Sequence, residues 1–586
     1  MLQASARRFL STQRLPLALA IVALVLTLPA LRAGLVADDY FHRMVLLGMG
    51  ALGAGTDPIC DLFAFAPERL HGWMGEQGLL GWWADPGLHV SLARPLTALT
   101  HVIDYRLWPD DFVLQHMHSL AWFALAVGLV AVLYRRVHGA GLVAGVAGLL
   151  FAVEDAHAMS AGWLASRNAL LCLVFGTGLL HQHVAWRETG SRRALLLSLV
   201  ALGVGLGCGE ATLGALAYVA AWQLAREKGR AWRRLVPLVP HALVVGAWRL
   251  LYDALGHGTR GSALYVDPGT QPLLFLGAIV ERWPLLMAAQ WLQAPVDLWL
   301  VWPRPAQLAA SAACALAAVL VLALLWRLLG TSDVARFWAL GMALSLVPVC
   351  AAFPMDRLLV FAGIGAFALV AMLSEATGVW LWSAAGPPTW RVRTAKLLLL
   401  LHLPVAVVLL TARVALVPAF GEVFLATARD APRGPEVPGQ TFVFVNGNDF
   451  PVFYLSVIRT VTGDGPVPRR VAQLSTMMAA NEVWREDERT LVVAPRGGFL
   501  ALAVDRLVVG PRQRFFIGQA IERPDFVAEV REVTGDGRPR RVAFRFRHPL
   551  EAPEYCWLFW KDGRLVRFPL PAPGARVTID RSPILS

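Results

Sequence analysis

Residues 15–42 read LPLALAIVALVLTLPALRAGLVADDYFH. Leu15 to Val36 are nearly all apolar, long enough as a helix to cross a hydrocarbon core of about 30 Å. The run ends on Ala37-Asp38-Asp39-Tyr40-Phe41-His42, which sets a carboxylate pair directly behind a first membrane span. Adjacent carboxylates at a membrane surface cost desolvation energy and gain nothing in packing, so Asp38 and Asp39 are functional candidates. The plainer reading is a solvated stop that ends the helix.

The rest of the chain has the same character. Of its residues 56% are hydrophobic and 16% charged, and the mean hydropathy is +0.54. These values describe a polytopic membrane protein. A pI of 9.9 would suit a nucleic-acid partner, but the placement of the charges argues against one. The basic residues are almost all Arg, with Lys only at Lys228, Lys396 and Lys561, and many sit in short loops between apolar runs. Charge placed in this way reports membrane orientation. Six scattered cysteines without a Cys-x-x-Cys pair leave zinc and redox readings weak.

Arg7, Arg8 and Arg14 precede the first span and put the N-terminus in the cytoplasm. Further basic clusters recur at Arg135-Arg136, Arg187 to Arg193, Arg226 to Arg234, Arg327 to Arg336 and Arg391 to Lys396. Spans are expected near 15–36, 114–134, 139–154, 158–185, 193–208, 210–225, 234–254, 306–326, 337–352, 356–378 and 397–418, about eleven in all. Residues 271–292 are apolar too, but Glu281-Arg282 interrupts them, and the stretch is read as interfacial or re-entrant. The segment from Asp57 to Trp83, rich in Leu, Phe and Trp, is read as interfacial helices. The C-terminus then lies outside, in the periplasm if the membrane is a bacterial inner membrane.

From about Gly421 the composition becomes that of a β-rich domain. The expected division is therefore 1–420, membrane-embedded, and 421–586, extracytoplasmic. Val542, Phe544 and Phe546 alternate with Ala543, Arg545 and Arg547, the period of a half-buried strand. Tyr555 to Trp560 and Arg564 to Phe568 flank Lys561-Asp562-Gly563, a hairpin signal. Gly463-Asp464-Gly465 and Gly535-Asp536-Gly537 mark turns. Ala431 to Gly439, with three prolines, reads as a linker.

This topology sets several ionisable groups on one face. They are Asp38-Asp39, Glu154-Asp155-Ala156-His157, Gly209-Glu210, the loop holding Arg260, Tyr265 and Asp267, and Asp356-Arg357. Five such sites suggest one shared cavity opening outward. Arg167 lies ten positions into the span beginning near 158, roughly 15 Å down at 1.5 Å per residue. An arginine at that depth needs an anionic partner, and Glu210 or a lipid phosphate would serve. A structural ion pair between helices is the plainer alternative.

Several of these stretches resemble the C-type (GT-C) membrane glycosyltransferases, nearest the protein O-mannosyltransferase-like branch that includes the transmembrane-and-TPR enzymes. Asp38-Asp39 resemble the paired acids after that family's first span. Ala93-Arg94-Pro95-Leu96-Thr97 with Asp104-Tyr105 and His116, then Leu150 to Val153 with His157, Trp163, Arg167 and Leu170-Leu171, resemble its following segments. Gly209-Glu210-Ala211 and Asp356-Arg357-Leu358-Leu359 resemble its Lys-Glu and Glu-Arg segments. The likeness covers roughly residues 10–380. Glu154-Asp155-Ala156-His157 departs from the family's His-Pro-x-His-x-Glu, Gly209 replaces its lysine, and no TPR repeats follow.

The resemblance implies a GT-C fold and transfer of a sugar from a polyprenyl-phosphate donor to an extracytoplasmic hydroxyl on protein, lipid or polysaccharide. The residue types suit that chemistry. A carboxylate can take the acceptor proton, and arginine can stabilise the leaving lipid phosphate. Asp38 is then the base, and Asp39 orients the acceptor or a metal. Arg167 and Arg357 hold the donor phosphate, while Arg94, Glu154, His157 and Glu210 line the site. Asp, Glu and His are present for a divalent cation, but no tight ligand spacing demands one. Two other classes compete: a transporter using the same outward cavity, and a non-catalytic membrane anchor for the β-rich domain. Within enzymes, an aminosugar-to-lipid transferase is the nearest alternative.

Overall fold

The structure is a computed structural model that describes residues 9–50, 56–380, 383–384, 389–447 and 449–582. Arg7 and Arg8, used above for orientation, lie outside the described residues. Among the described residues eight helices are long and apolar enough to cross a membrane: Leu15–Arg32, Phe112–His138, Leu164–Thr189, Trp232–Ala254, Pro272–Leu292, Arg304–Thr331, Asp356–Thr377 and Trp390–Asp430. Leu142–Ala152 and Asp155–Gly162, bent by 43°, make a ninth if taken as one span. The chain is thus a multi-pass helical membrane protein followed by a β-rich region.

The expected eleven spans differ from this set for a geometric reason. Arg192–Cys208, Leu213–Ala225 and Asp333–Val349 are helices of 17, 13 and 17 residues. At 1.5 Å per residue they are short for a bilayer. Pro272–Leu292, expected to be interfacial or re-entrant, is long and apolar enough to cross, and it makes polar contacts to the loops. Arg282 donates to Leu264 O and Cys350 O at 3.0 Å each, and Gln293 reaches Asp155 at 3.1 Å. Its start is tied to Asp267 O through Gln271 N, so both of its ends lie among residues of the same end of the bundle.

Asp356–Thr377 is the centre of the bundle, with 83% of its apolar window buried, against 17% for Arg304–Thr331 at the edge. Close helix approach there requires glycine. A Cβ on Gly341 would stand 2.1 Å from the Tyr218 ring. Tyr218 then reaches across, donating its hydroxyl to Phe361 O at 2.6 Å and accepting from Gly365 N at 2.9 Å.

The last helix of the bundle continues to Asp430, past the expected boundary at 420/421. Ala431 to Gly439 is packed rather than a loose linker: Ala431 and Val437 are buried. The buried Arg459 guanidinium donates to the carbonyls of Ala428, Ala431, Pro432 and Pro466, which closes the helix end against the next domain. That arrangement satisfies terminal carbonyls that would otherwise lack donors.

The C-terminal domain has two sheets. The six-stranded sheet runs Ala520–Glu522, Phe526–Val533, Pro539–Phe546, Thr490–Pro495, Asn481–Arg485, Arg576–Ile579, all antiparallel. Val542, Phe544 and Phe546 are buried in it, as their alternation indicated. The four-stranded sheet runs Arg564–Arg567, Tyr555–Lys561, Thr441–Phe444, Arg470–Gln473. Lys561 pairs with Arg564 across Asp562-Gly563, both at positive φ (50° and 75°), the primed turn expected of that sequence. Thr441–Phe444 and Arg470–Gln473 pair in parallel. Parallel neighbours need a crossover, and the helix Asp449–Thr462 supplies it.

Trp82 corrects the interfacial reading of residues 57–83. It is buried in the core of the C-terminal domain, edge-on to Phe499, Phe515 and Phe544, with Nε1 donating to Leu474 O at 3.1 Å. The first large loop therefore plugs into the last domain.

Candidate active site

The first span changes to a 3₁₀ turn at Leu28–Arg32, and residues 33–37 run on as a packed connector. His116 Nε2 lies 2.9 Å from Gly34 O, and Trp163 Nε1 donates to Val36 O at 3.0 Å. Ala37 sits at φ 46°, costly for a residue with a Cβ. It turns the chain into the helix Asp38–Leu46, so both aspartates occupy that helix's first turn.

The two aspartates part there. Asp39 is 2% exposed and accepts from Val36 N at 3.0 Å and Ala165 N at 2.7 Å. Both carboxylate oxygens are engaged in holding the connector to the 164–166 turn. Asp38 faces a cleft of about 550 Å³ and accepts a short hydrogen bond from the Tyr454 hydroxyl of the Asp449–Thr462 helix. Burial raises the Asp38 carboxyl above the ordinary carboxylate range, against the Tyr454 hydrogen bond and the positive charges of Arg357 and Arg94. Tyr454 itself is pushed well up by burial and by Asp38, so it stays a neutral donor.

Arg94, Glu210 and Arg357 line the same cleft. Arg94 Nε donates to Glu210 Oε2 at 3.0 Å, with its guanidinium 5.1 Å from the Phe63 ring centre. Tyr252 donates to the other Glu210 oxygen at 3.3 Å. Arg357 differs. It lies 5.2 Å from the Trp163 ring centre and donates to Ser166 Oγ at 3.2 Å, and among the described residues no acidic group stands within 4 Å of it. Its neighbour Asp356 turns the other way, to Arg413. Tyr265 and Asp267 also line the cleft, whereas Arg260 pairs with Glu68 in solvent.

The remaining sequence candidates lie outside the cleft. Arg167 is not ten residues down a helix. Trp163 is extended and breaks the run, and Arg167 begins the helix Arg167–Thr189. It is fully buried, and its partner is Asp104 at 2.5 Å rather than Glu210 or an exposed phosphate position. Ser119, Thr100 and Gln115 O take its other donors. His157 is buried with Nε2 3.1 Å from Phe151 O. Glu154 is buried against His402 Nδ1 at 3.3 Å.

Asp155, Asp297 and Asp356 converge on Arg413, at 2.7, 3.1 and 2.6 Å. Asp155 and Asp356 are buried while Arg413 and Asp297 are part-exposed, and none of the four lines the cleft. Sequence reading missed Arg413 and His402, though each is an isolated ionisable group in an apolar run, the same signal that singled out Arg167. Among the described residues no group of three or more His, Cys, Asp or Glu side chains is arranged to hold a metal ion.

No family model matches the chain and no curated protein matches it. Solved membrane transferases do resemble it in structure. The apo oligosaccharyltransferase of Archaeoglobus fulgidus is 12% identical with a TM-score of 0.38, over 79% of this chain and 64% of that one. The chain thus spans somewhat under two thirds of that enzyme. Its complex with zinc and sulfate gives 11% and 0.37, over 78% of this chain and 62% of that one. ArnT from Cupriavidus metallidurans, also apo, gives 15% and 0.35, over 78% of this chain and 88% of that one. Likeness at this level does not assign a reaction.

Proposed function

We propose that the chain is a membrane glycosyltransferase of the GT-C kind. It moves a sugar from a polyprenyl-phosphate donor to an acceptor hydroxyl on the side of the C-terminal domain, the periplasm in a bacterial inner membrane. One observation carries this reading: a desolvated carboxylate, Asp38, shares a cleft with Arg357, a guanidinium with no acidic group within 4 Å among the described residues. Asp38 takes the acceptor proton as the acceptor oxygen bonds to the sugar's anomeric carbon. The bond from that carbon to the phosphate oxygen breaks, and the lipid phosphate leaves with its electron pair. A base whose pKa is lifted toward neutral suits that proton transfer, and Arg357 offsets the phosphate charge in a dry setting.

Arg94, held by Glu210, adds positive charge without being free to move. Val245, Trp248, Val349 and Phe361 give the cleft an apolar wall that fits the first isoprene units. Asp39 and Arg167 support the site from behind. On this reading their roles are structural, in place of acceptor or metal orientation and phosphate binding.

The test is mass spectrometry of lipids and glycans in cells that lack the gene. A glycoform lost on deletion and restored by the wild type, but not by Asp38→Asn or Arg357→Ala at equal expression, supports the reading. An unchanged glycome, or full rescue by both variants, refutes it.

A further inference from the structure

The C-terminal domain presents one unusual surface. Between Ala431 and Ser582, Phe516 (64% exposed) and Ile517 (66%) are the only described large apolar side chains more than half exposed. They are adjacent, and they are rigidly presented. Phe515 beside them is buried in the domain core, with its N–H bonded to Gly537 O at 3.0 Å. Gly518 N bonds Val530 O at 2.8 Å, and Gln519 N bonds Phe516 O at 3.1 Å. The loop is thus held with two hydrophobic residues outward. Arg512 and Arg514, both exposed, flank them and form no ion pair among the described residues.

The position of the loop identifies what covers it. Gly510 to Gln513 and Thr270 to Leu274 form the two sides of one cleft, so the loop stands against the first turn of Pro272–Leu292. On that helix Leu273, Leu276 and Val280 are 76%, 57% and 76% exposed, at spacings of three and four residues. This is one apolar stripe on a helix whose ends both lie at the cleft end of the bundle, the pattern of a helix lying in a membrane interface. Phe516 is three residues beyond Gln513, within about 10 Å of chain at roughly 3.3 Å per residue. A protein partner is less well matched, since standard interfaces bury about 1,200–2,000 Å², more than two side chains offer.

We infer that the Pro511–Gly518 loop docks the C-terminal domain onto the bilayer, with Phe516 and Ile517 in the headgroup–acyl boundary and Arg512 and Arg514 at lipid phosphates. Insertion of such side chains reaches about 5–10 Å below the headgroups. Docking would steady the domain that carries Tyr454 over Asp38. The inference stands apart from the transferase reading and does not depend on it.

The test uses the full chain in nanodiscs of phosphatidylcholine with phosphatidylglycerol, in a Cys60→Ser background, because Cys60 is the exposed native thiol. An environment-sensitive fluorophore is attached at Gln519→Cys, leaving Phe516 and Ile517 native, and at Lys561→Cys as a solvent control. The label near the loop should emit further to the blue than the control. Lipids with a nitroxide high on the acyl chain should quench it more strongly than aqueous iodide does. Phe516→Ser with Ile517→Ser should abolish both effects while the melting temperature holds, as both side chains are solvent-facing in the domain itself. Replacing phosphatidylglycerol with phosphatidylcholine should weaken the lipid quenching. The inference is overturned if the label behaves like the control, if the double variant keeps full lipid quenching, or if shielding depends on protein concentration without lipid quenching, which would signal a second copy.

Discussion

Asp39→Asn separates a structural carboxylate from a chemical one. Asp39 accepts two backbone hydrogen bonds, from Val36 N and Ala165 N, and is 2% exposed. Each buried N–H left unpaired costs about 1–3 kcal/mol, so Asp39→Ala should cost about 2–6 kcal/mol. Asn keeps one acceptor but turns its NH₂ toward the other backbone N–H. It loses one bond and leaves donors unpaired, about 2–6 kcal/mol in all. Both variants release the connector that sets Asp38, so transfer falls together with stability. The assay follows tryptophan fluorescence on heating the full chain in detergent, alongside transfer from a labelled polyprenyl-phosphate sugar at temperatures well below each melting point. A variant that melts with the wild type yet has lost transfer would refute the reasoning and return Asp39 to direct chemistry.

Asp38→Asn should keep the wild-type melting temperature and lower turnover about 10²–10⁴-fold, the usual loss of a general base. Because burial raises the Asp38 pKa, turnover should rise with pH through that raised value. Stability should move the opposite way: an acid whose folded pKa exceeds its unfolded value of about 3.9 stabilises at low pH, and this contribution is lost as pH rises through the folded pKa. Tyr454→Phe removes a donor to the charged form, so the acid limb of the pH–rate profile should shift further up. An unmoved limb would sink the coupling. Arg357→Ala should weaken donor-lipid binding about 10- to 150-fold, the effect of losing one charged hydrogen bond, with normal melting. Arg167→Ala should instead destabilise by about 3–5 kcal/mol, since the buried Asp104 is left with His118 as its one partner among the described residues; the reverse pattern would exchange their roles. A phosphatase fused to the C-terminus should be active outside the cytoplasm, and an inactive fusion would overturn the orientation.

Much of the membrane part could be read from residue order, because apolar run length and hairpin charges are local properties. All eleven expected stretches contain helix, and Asp38, Arg94, Glu210 and Arg357 meet in one cleft. The hairpin at Asp562-Gly563 was legible for the same reason, since its turn chemistry is written in two adjacent residues. The 15 Å depth assigned to Arg167 failed because Trp163 breaks the helix, and nothing in the local sequence forces an extended residue there.

What only the tertiary structure decided are the partnerships. Asp104 sits 63 positions from Arg167 and Arg413 lies far from the three aspartates it gathers. Trp82 enters a core built mostly after residue 440, and Tyr454 crosses from the last domain to Asp38. Sequence shows that a buried charge must be compensated, because desolvation is costly whatever the fold. It does not show by which group, because that depends on which helices pack side by side. The same limit applies to the aspartate pair: one-residue spacing placed both acids at the membrane surface, but only the packed turn at Ala165 sent Asp39 inward to backbone N–H groups and left Asp38 facing the cleft.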